Sequence, residues 1–126
     1  MADQLGDDRL MFTTANVTLM VTDFDRSLRF YTETLGLGLQ SRHGDHWAEV
    51  IAPGVTIGLH PSMGAVVPAS TDSVSVGFMV EDFDATVGEL RSRGVEFDRV
   101  TDTERARSAY FADPDGHPLY VMWRAG

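Results

Sequence analysis

Apolar and polar residues alternate with period two along Ala15-Asn16-Val17-Thr18-Leu19-Met20-Val21 and again along Ser73-Val74-Ser75-Val76-Gly77-Phe78-Met79-Val80. Each run therefore predicts a half-buried strand. Directly after each run the apolar period lengthens to about 3.6, through Phe24, Leu28, Tyr31 and Leu35 in one case and Phe83, Val87 and Leu90 in the other. That spacing predicts two amphipathic helices. Asp23 or Asp25, and Asp82 or Asp84, are placed to cap the helix N-termini by accepting orphan backbone N–H bonds. Gly36 and Gly94 follow the last apolar positions, where a left-handed residue ends a helix.

Three short β-type runs follow each helix. In the first half they are Leu37 to Arg42, His46 to Ile51 and Val55 to His60, divided by His43-Gly44-Asp45 and Ala52-Pro53-Gly54. In the second half they are Val95 to Val100, Arg105 to Ala112 and His117 to Trp123, with Pro114-Asp115-Gly116 as the last turn. The plan is β-α-β-β-β, twice. The duplication is also literal, since Val21-Thr22-Asp23-Phe24-Asp25 returns 59 residues later as Val80-Glu81-Asp82-Phe83-Asp84. The expected organisation is one α+β domain of two βαβββ repeats, about residues 12–61 and 73–124, joined by a Pro-, Gly- and Ser-rich linker at about 62–72. A unit of about 55 residues has a sheet face it cannot cover alone, so the two copies must pack together.

Composition narrows the functional classes. The 126 residues are 43% hydrophobic and 23% charged, as in one compact domain. The longest apolar runs fall far short of the ~20 residues of a membrane-spanning helix, and the start lacks the pattern of a secretory signal. A cytoplasmic location is expected. With no cysteine there are no disulfides, thiolate metal ligands or cysteine nucleophiles. Ten basic against nineteen acidic residues give a net charge of −9, a field that repels nucleic acid and modestly favours cationic ligands. All ten basic residues are arginine, which points to no site.

Familiar catalytic arrangements are missing. There is no Gly-x-Ser-x-Gly elbow, Leu35-Gly36-Leu37-Gly38-Leu39 reads as a helix exit and not a phosphate cradle, and His43 and His46 flank a turn. Strand alternation instead groups Trp47 with Glu49, Asn16 with Thr18 and Met20, Ser75 with Gly77 and Met79, and Tyr120 with Met122. Aromatic and methionine side chains with a few polar groups suit a flat organic ligand.

The duplicated plan, the paired Val-x-Asp-Phe-Asp signals, the helix Ser27-Leu28-Arg29-Phe30-Tyr31-Thr32-Glu33-Thr34-Leu35-Gly36-Leu37 and the closing phrase Tyr110-Phe111-Ala112-Asp113-Pro114-Asp115-Gly116-His117-Pro118-Leu119-Tyr120 together resemble the vicinal oxygen chelate superfamily. That group includes glyoxalases, bleomycin-resistance proteins and extradiol dioxygenases. The resemblance implies a sheet curved around a cavity, and in metal-using members a divalent ion held at four positions. Those positions fall near Asn16, Gly58, Ser75 and Tyr120, which are poor metal donors, so neither a metal nor another cofactor is expected. Arg107 lies where family members often carry an arginine that steadies the closing turn or pairs with an acidic ligand group.

The first expectation is thus a metal-independent small-molecule-binding protein similar to the antibiotic-sequestering bleomycin-resistance proteins. Its ligand would be aromatic or cationic, and the family relation implies a homodimer. The expected ligand-binding residues are Asn16, Trp47, Glu49, Gly58, His60, Ser75, Arg107, Tyr120 and Met122. The alternative is a metal-dependent lyase, isomerase or dioxygenase with a displaced site at His60, two residues beyond Gly58, and Glu49 on the neighbouring strand. Metal-free acid–base chemistry at Tyr120 or Glu49 belongs to the same alternative.

Overall fold

The computed structural model describes Met11 and residues 15–62 and 74–126. The first residues of the expected first repeat, nearly all of the linker and Ser73 lie outside the described residues. Within them the elements are β1 (Val17–Val21), α1 (Phe24–Arg29) continued by a π-helical turn (Phe30–Thr34), β2 (Gly38–His43), β3 (Trp47–Ala52) and β4 (Val55–Pro61). The second set is β5 (Val76–Met79), α2 (Phe83–Ser92), β6 (Arg99–Asp102), β7 (Ala106–Ala112) and β8 (Pro118–Arg124).

Each repeat forms its own four-stranded sheet, in the orders β1-β4-β3-β2 and β5-β8-β7-β6. In both, the first strand pairs in parallel with the last and the remaining pairs are antiparallel. The α+β duplication is as expected, but the sheet is divided in two and neither part closes on itself.

The capping aspartates resolve to Asp23, which accepts from the Arg26 N–H, and Asp82, which accepts from the Ala85 N–H. Asp25 and Asp84, the second acids of each signal, pair instead with Arg42 and Arg107, both at 3.0 Å. Each arginine also lies over the phenylalanine of the same signal, Arg42 over Phe24 and Arg107 over Phe83. The acidic-aromatic repeat is therefore a helix cap plus an arginine clamp, built twice.

Gly94, at φ +95°, ends α2, with its own N–H bonded to Arg91 O and the Val95 N–H to Leu90 O. This wrap buries Val95 and explains why β6 begins only at Arg99 and not at Val95. The first helix departs from its expected course too. The Leu35 N–H reaches back five residues to Phe30 O, widening the last turn into a π turn.

One face of each sheet and the inner sides of the helices form a single hydrophobic cluster containing Val21, Leu28, Ile57, Leu90, Phe111 and Val121. Each such side chain contributes about 1.5–3 kcal/mol by leaving water. Polar ties join the repeats as well. Asp115, in the turn before β8, accepts from the Thr22 N–H and hydroxyl, the latter at 2.6 Å, and from the Ser27 hydroxyl. Arg93 donates to the carbonyl of Thr34 at 2.9 Å. Asp113 is buried and accepts from Tyr31, from the backbone N–H groups of Asp115 and His117, and from the His117 ring.

Candidate functional site

Alternation leaves one face of each sheet outside the hydrophobic cluster. On the first sheet, register aligns Thr18, Gly58, Glu49 and Ser41 in one row, with Met20 beside His60 and Trp47 beside His43 in the next. On the second sheet it aligns Gly77, Tyr120, Tyr110 and Arg99, with Met79, Met122, Ser108 and Thr101 behind them. Met20 and Met79 remain 48% and 61% exposed on these faces.

Each open face has a glycine with an aromatic ring laid over it. A Cβ added to Gly58 would stand 2.3 Å from the Trp47 ring, and one added to Gly77 would stand 2.1 Å from the Tyr120 ring. Only glycine leaves room for rings folded this tightly onto the neighbouring strand. Trp47 meets His60 edge-on at 6.3 Å between centroids, and Tyr120 lies 5.7 Å from Tyr110. The guanidinium of Arg99 sits 4.3 Å above Tyr110, so the second face is a strip of two phenol rings ending in a cation. Polar groups are sparse. The Ser41 hydroxyl donates to Glu49 at 3.1 Å, and His60 Nδ1 lies 2.7 Å from Pro61 O, leaving Nε2 without that partner.

The structure brings Trp47, Glu49, Gly58 and His60 together on the first sheet, and Tyr120 and Met122 together on the second. Asn16 precedes β1 and accepts from the Thr18 hydroxyl, which sets it on the same side. Ser75 precedes β5, two residues before Gly77. Asn16 and Ser75 are each one strand period from the rows that hold Gly58 and Tyr120, because Gly58 pairs with Thr18 and Tyr120 with Gly77. Arg107 does not join this group. It faces the helix side of β7, bonded through both terminal nitrogens to Asp84, with its Nε 3.2 Å from Asp102. The resemblance places an arginine here to steady the closing turn or to pair with an acidic ligand group, and the register of β7 turns it, with Ala109 and Phe111, to the helix side. Tyr110 and Arg99 went unnoticed in the sequence, although the period from Tyr120 through the closing turn carries Tyr110 to the same face.

A divalent metal does not fit the donors present. Asn16 and Ser75 are neutral and weak, Gly58 has no side chain, and the Tyr120 ring is folded onto β5. Among the described residues no three of His, Asp and Glu come together in a metal-holding group, so His60 and Glu49 gain no third partner. No helix among them is long and apolar enough to cross a membrane.

Comparison with known proteins gives the same two-repeat architecture. The chain resembles glutathione transferase FosA of Serratia marcescens, at 33% identity over 114 residues, covering 82% of this chain and 75% of the relative. It is 29% identical to the uncharacterized protein YaeR of Escherichia coli over 82% of this chain and 90% of that one. Among solved structures, the antibiotic-binding protein TnmS3 from Streptomyces sp. superposes with TM-score 0.71 at 26% identity, covering 93% of this chain and 100% of TnmS3. The fosfomycin resistance protein FosX of Listeria monocytogenes shares the fold, with TM-score 0.74 at 16% identity over 92% of this chain and 96% of FosX. The family model for the glyoxalase/bleomycin resistance protein/dioxygenase superfamily matches residues 13–121, a span that takes in both clamped helices and both rings laid over glycine and ends within β8, and the chain belongs to that superfamily.

Proposed function

We propose that this protein binds a flat aromatic small molecule without a metal, in the manner suggested by its likeness to the antibiotic-binding protein TnmS3. The observation that carries this reading is the pair of rings laid over glycine, Trp47 over Gly58 and Tyr120 over Gly77. Rings fixed flat on a strand offer stacking area at little cost in side-chain entropy. Glu49 on one face and the net charge of −9 favour a cationic group on the ligand. The reading includes a cytoplasmic homodimer; Leu39 and Val100, exposed apolar side chains on the edge strands β2 and β6 and off the two open faces, offer apolar area that a second copy would cover.

The 33% identity with a glutathione transferase supports a second reading, a metal-dependent enzyme of the same superfamily. The weak donors at Asn16, Ser75 and Tyr120 weigh against it. Calorimetric titration of the metal-free protein with bleomycin and with proflavine, a planar aromatic cation, separates the two readings. Saturable binding that is lost in Trp47→Ala and insensitive to manganese or nickel supports the first. Binding or turnover only after metal loading, abolished by His60→Ala, establishes the second.

A further inference from the structure

On the helix side of the second sheet, away from both aromatic faces, a cavity of about 210 Å³ lies along the seam between the repeats. Leu35 and Leu37 line it from the first repeat, and Phe78, Leu90, Phe111 and Val121 from the second. Among the described residues Thr86 is the one polar side chain in its wall, and its hydroxyl donates to Asp82 O at 2.8 Å within α2. The side chains that line it among the described residues thus offer no free donor. A water molecule needs two to four polar partners, so water in this half-open, mostly apolar space is weakly held and readily displaced. An apolar cavity of about 150 Å³ is enough to hold benzene.

We infer that this seam cavity is a second binding site, taking a small uncharged hydrocarbon-like molecule the size of benzene or toluene. Access lies beside α2, where a shallower depression shares Leu35, Thr86 and Leu90 with the cavity and is bordered by Ala85, Glu89 and Arg93. Arg93 is bonded there to Glu89 at 3.0 Å and to Thr34 O, so the entrance is polar and the interior is not. Such a site favours an apolar body over a charged one, because the side chains that line it offer a charge no partner.

Its position gives it a consequence. Phe78 and Val121 are register partners, and on the same two strands Gly77, Tyr120 and Met122 point to the opposite face. One layer of sheet therefore separates the seam cavity from the Tyr120 strip. Filling the cavity ties both repeats to β5 and β8 and stiffens the strands under the ring. Coupling to ligand affinity at the open face rests on the proposed function, whereas occupancy of the cavity does not.

The test is a titration of the full chain, methyl-labelled with ¹³C, with toluene and separately with xenon. Saturable shifts at the methyls of Leu35, Leu90 and Val121, together with a rise in the thermal midpoint, are the expected result. Val80→Phe, which adds a ring at another wall position, abolishes both responses. If that variant does not fold, the residue-by-residue map in the unmodified chain still decides. Shifts confined to the methyls of Met20, Met79 and Met122, or no saturable shift at all, overturn the inference. Loss of bleomycin or proflavine binding without loss of toluene binding refutes the proposed function and leaves the cavity standing.

Discussion

The phenol of Tyr31 donates a 2.7 Å hydrogen bond to the buried carboxylate of Asp113, 82 residues further along the chain and in the other repeat. Tyr31 is fully buried, and burial together with the adjacent Asp113 charge pushes its own ionisation far above the ordinary tyrosine range. The phenol is therefore a permanent donor. Tyr31→Phe keeps the ring and removes only that donor, leaving a buried charge with one partner fewer. A stability loss of about 1–3 kcal/mol is expected in urea denaturation. A loss near zero would show that the bond does not tie the repeats together.

The same carboxylate makes stability depend on pH. His117 titrates above its ordinary value of 6.5, first because its ring hydrogen-bonds to Asp113, with burial opposing. Its contribution is complete below pH 6.5 and is lost as pH rises through the raised value. For Asp113, burial pushes the carboxyl up, but hydrogen bonds from His117 and Tyr31 outweigh it and hold the group below 3.8. Its contribution is present above 3.8 and lost as pH falls through the lowered value. The pair therefore favours the mildly acidic range. Thermal midpoints should decline as pH rises above 6.5, and His117→Gln should flatten that decline. An unchanged slope in the variant would assign the dependence to other groups.

Much of this arrangement was legible in the sequence because it is local and repeated. The change from period two to period 3.6, the capping aspartates and the glycine exits depend on residues a few positions apart. The second acid of each signal shows where locality ends. Asp25 and Asp84 looked equivalent to their capping neighbours until Arg42, 17 residues away, and Arg107, 23 away, were seen to claim them. The Tyr31 to Asp113 bond and the Asp115 bonds to Thr22 and Ser27 depend on how the repeats pack, which no short window encodes. On the open faces, the shared side of Trp47 with Glu49 and of Tyr120 with Met122 was legible from alternation. The direction of Arg107 was not legible in the same way, because the family position that singles it out says nothing of the strand face it takes.

The two glycines under the aromatic rings provide a separate check. In Gly58→Ala the new methyl group would overlap the Trp47 ring, and in Gly77→Ala the Tyr120 ring. The ring has to lift from the strand in each case. Gly58→Ala should shift tryptophan fluorescence and weaken proflavine binding about tenfold or more, equivalent to about 1.4 kcal/mol. Gly77→Ala should weaken binding similarly with little change in emission, since the tyrosine moves and not Trp47. Both variants should remain folded, because the atoms displaced are the far ends of side chains on an open face. Wild-type affinity in both would sink the stacking reading.

Arg107 and Tyr120 offer the opposite pair of outcomes from two residues of the second sheet. Arg107 binds Asp84 at the start of α2 with two hydrogen bonds of 3.0 and 3.1 Å and covers the Phe83 ring, on the helix side. Arg107→Ala should lower the thermal midpoint while leaving proflavine affinity unchanged, since the clamp holds a helix and touches nothing on the open face. Tyr120→Ala should do the reverse, because its ring is half-buried on that face and packs mainly on Gly77 and Tyr110. Its removal takes away stacking area without opening the core, where Leu119 and Val121 keep their places on either side. Thermal denaturation and calorimetry on the two variants decide between clamp and platform. Lost affinity in Arg107→Ala with the fold intact would return that arginine to the binding site.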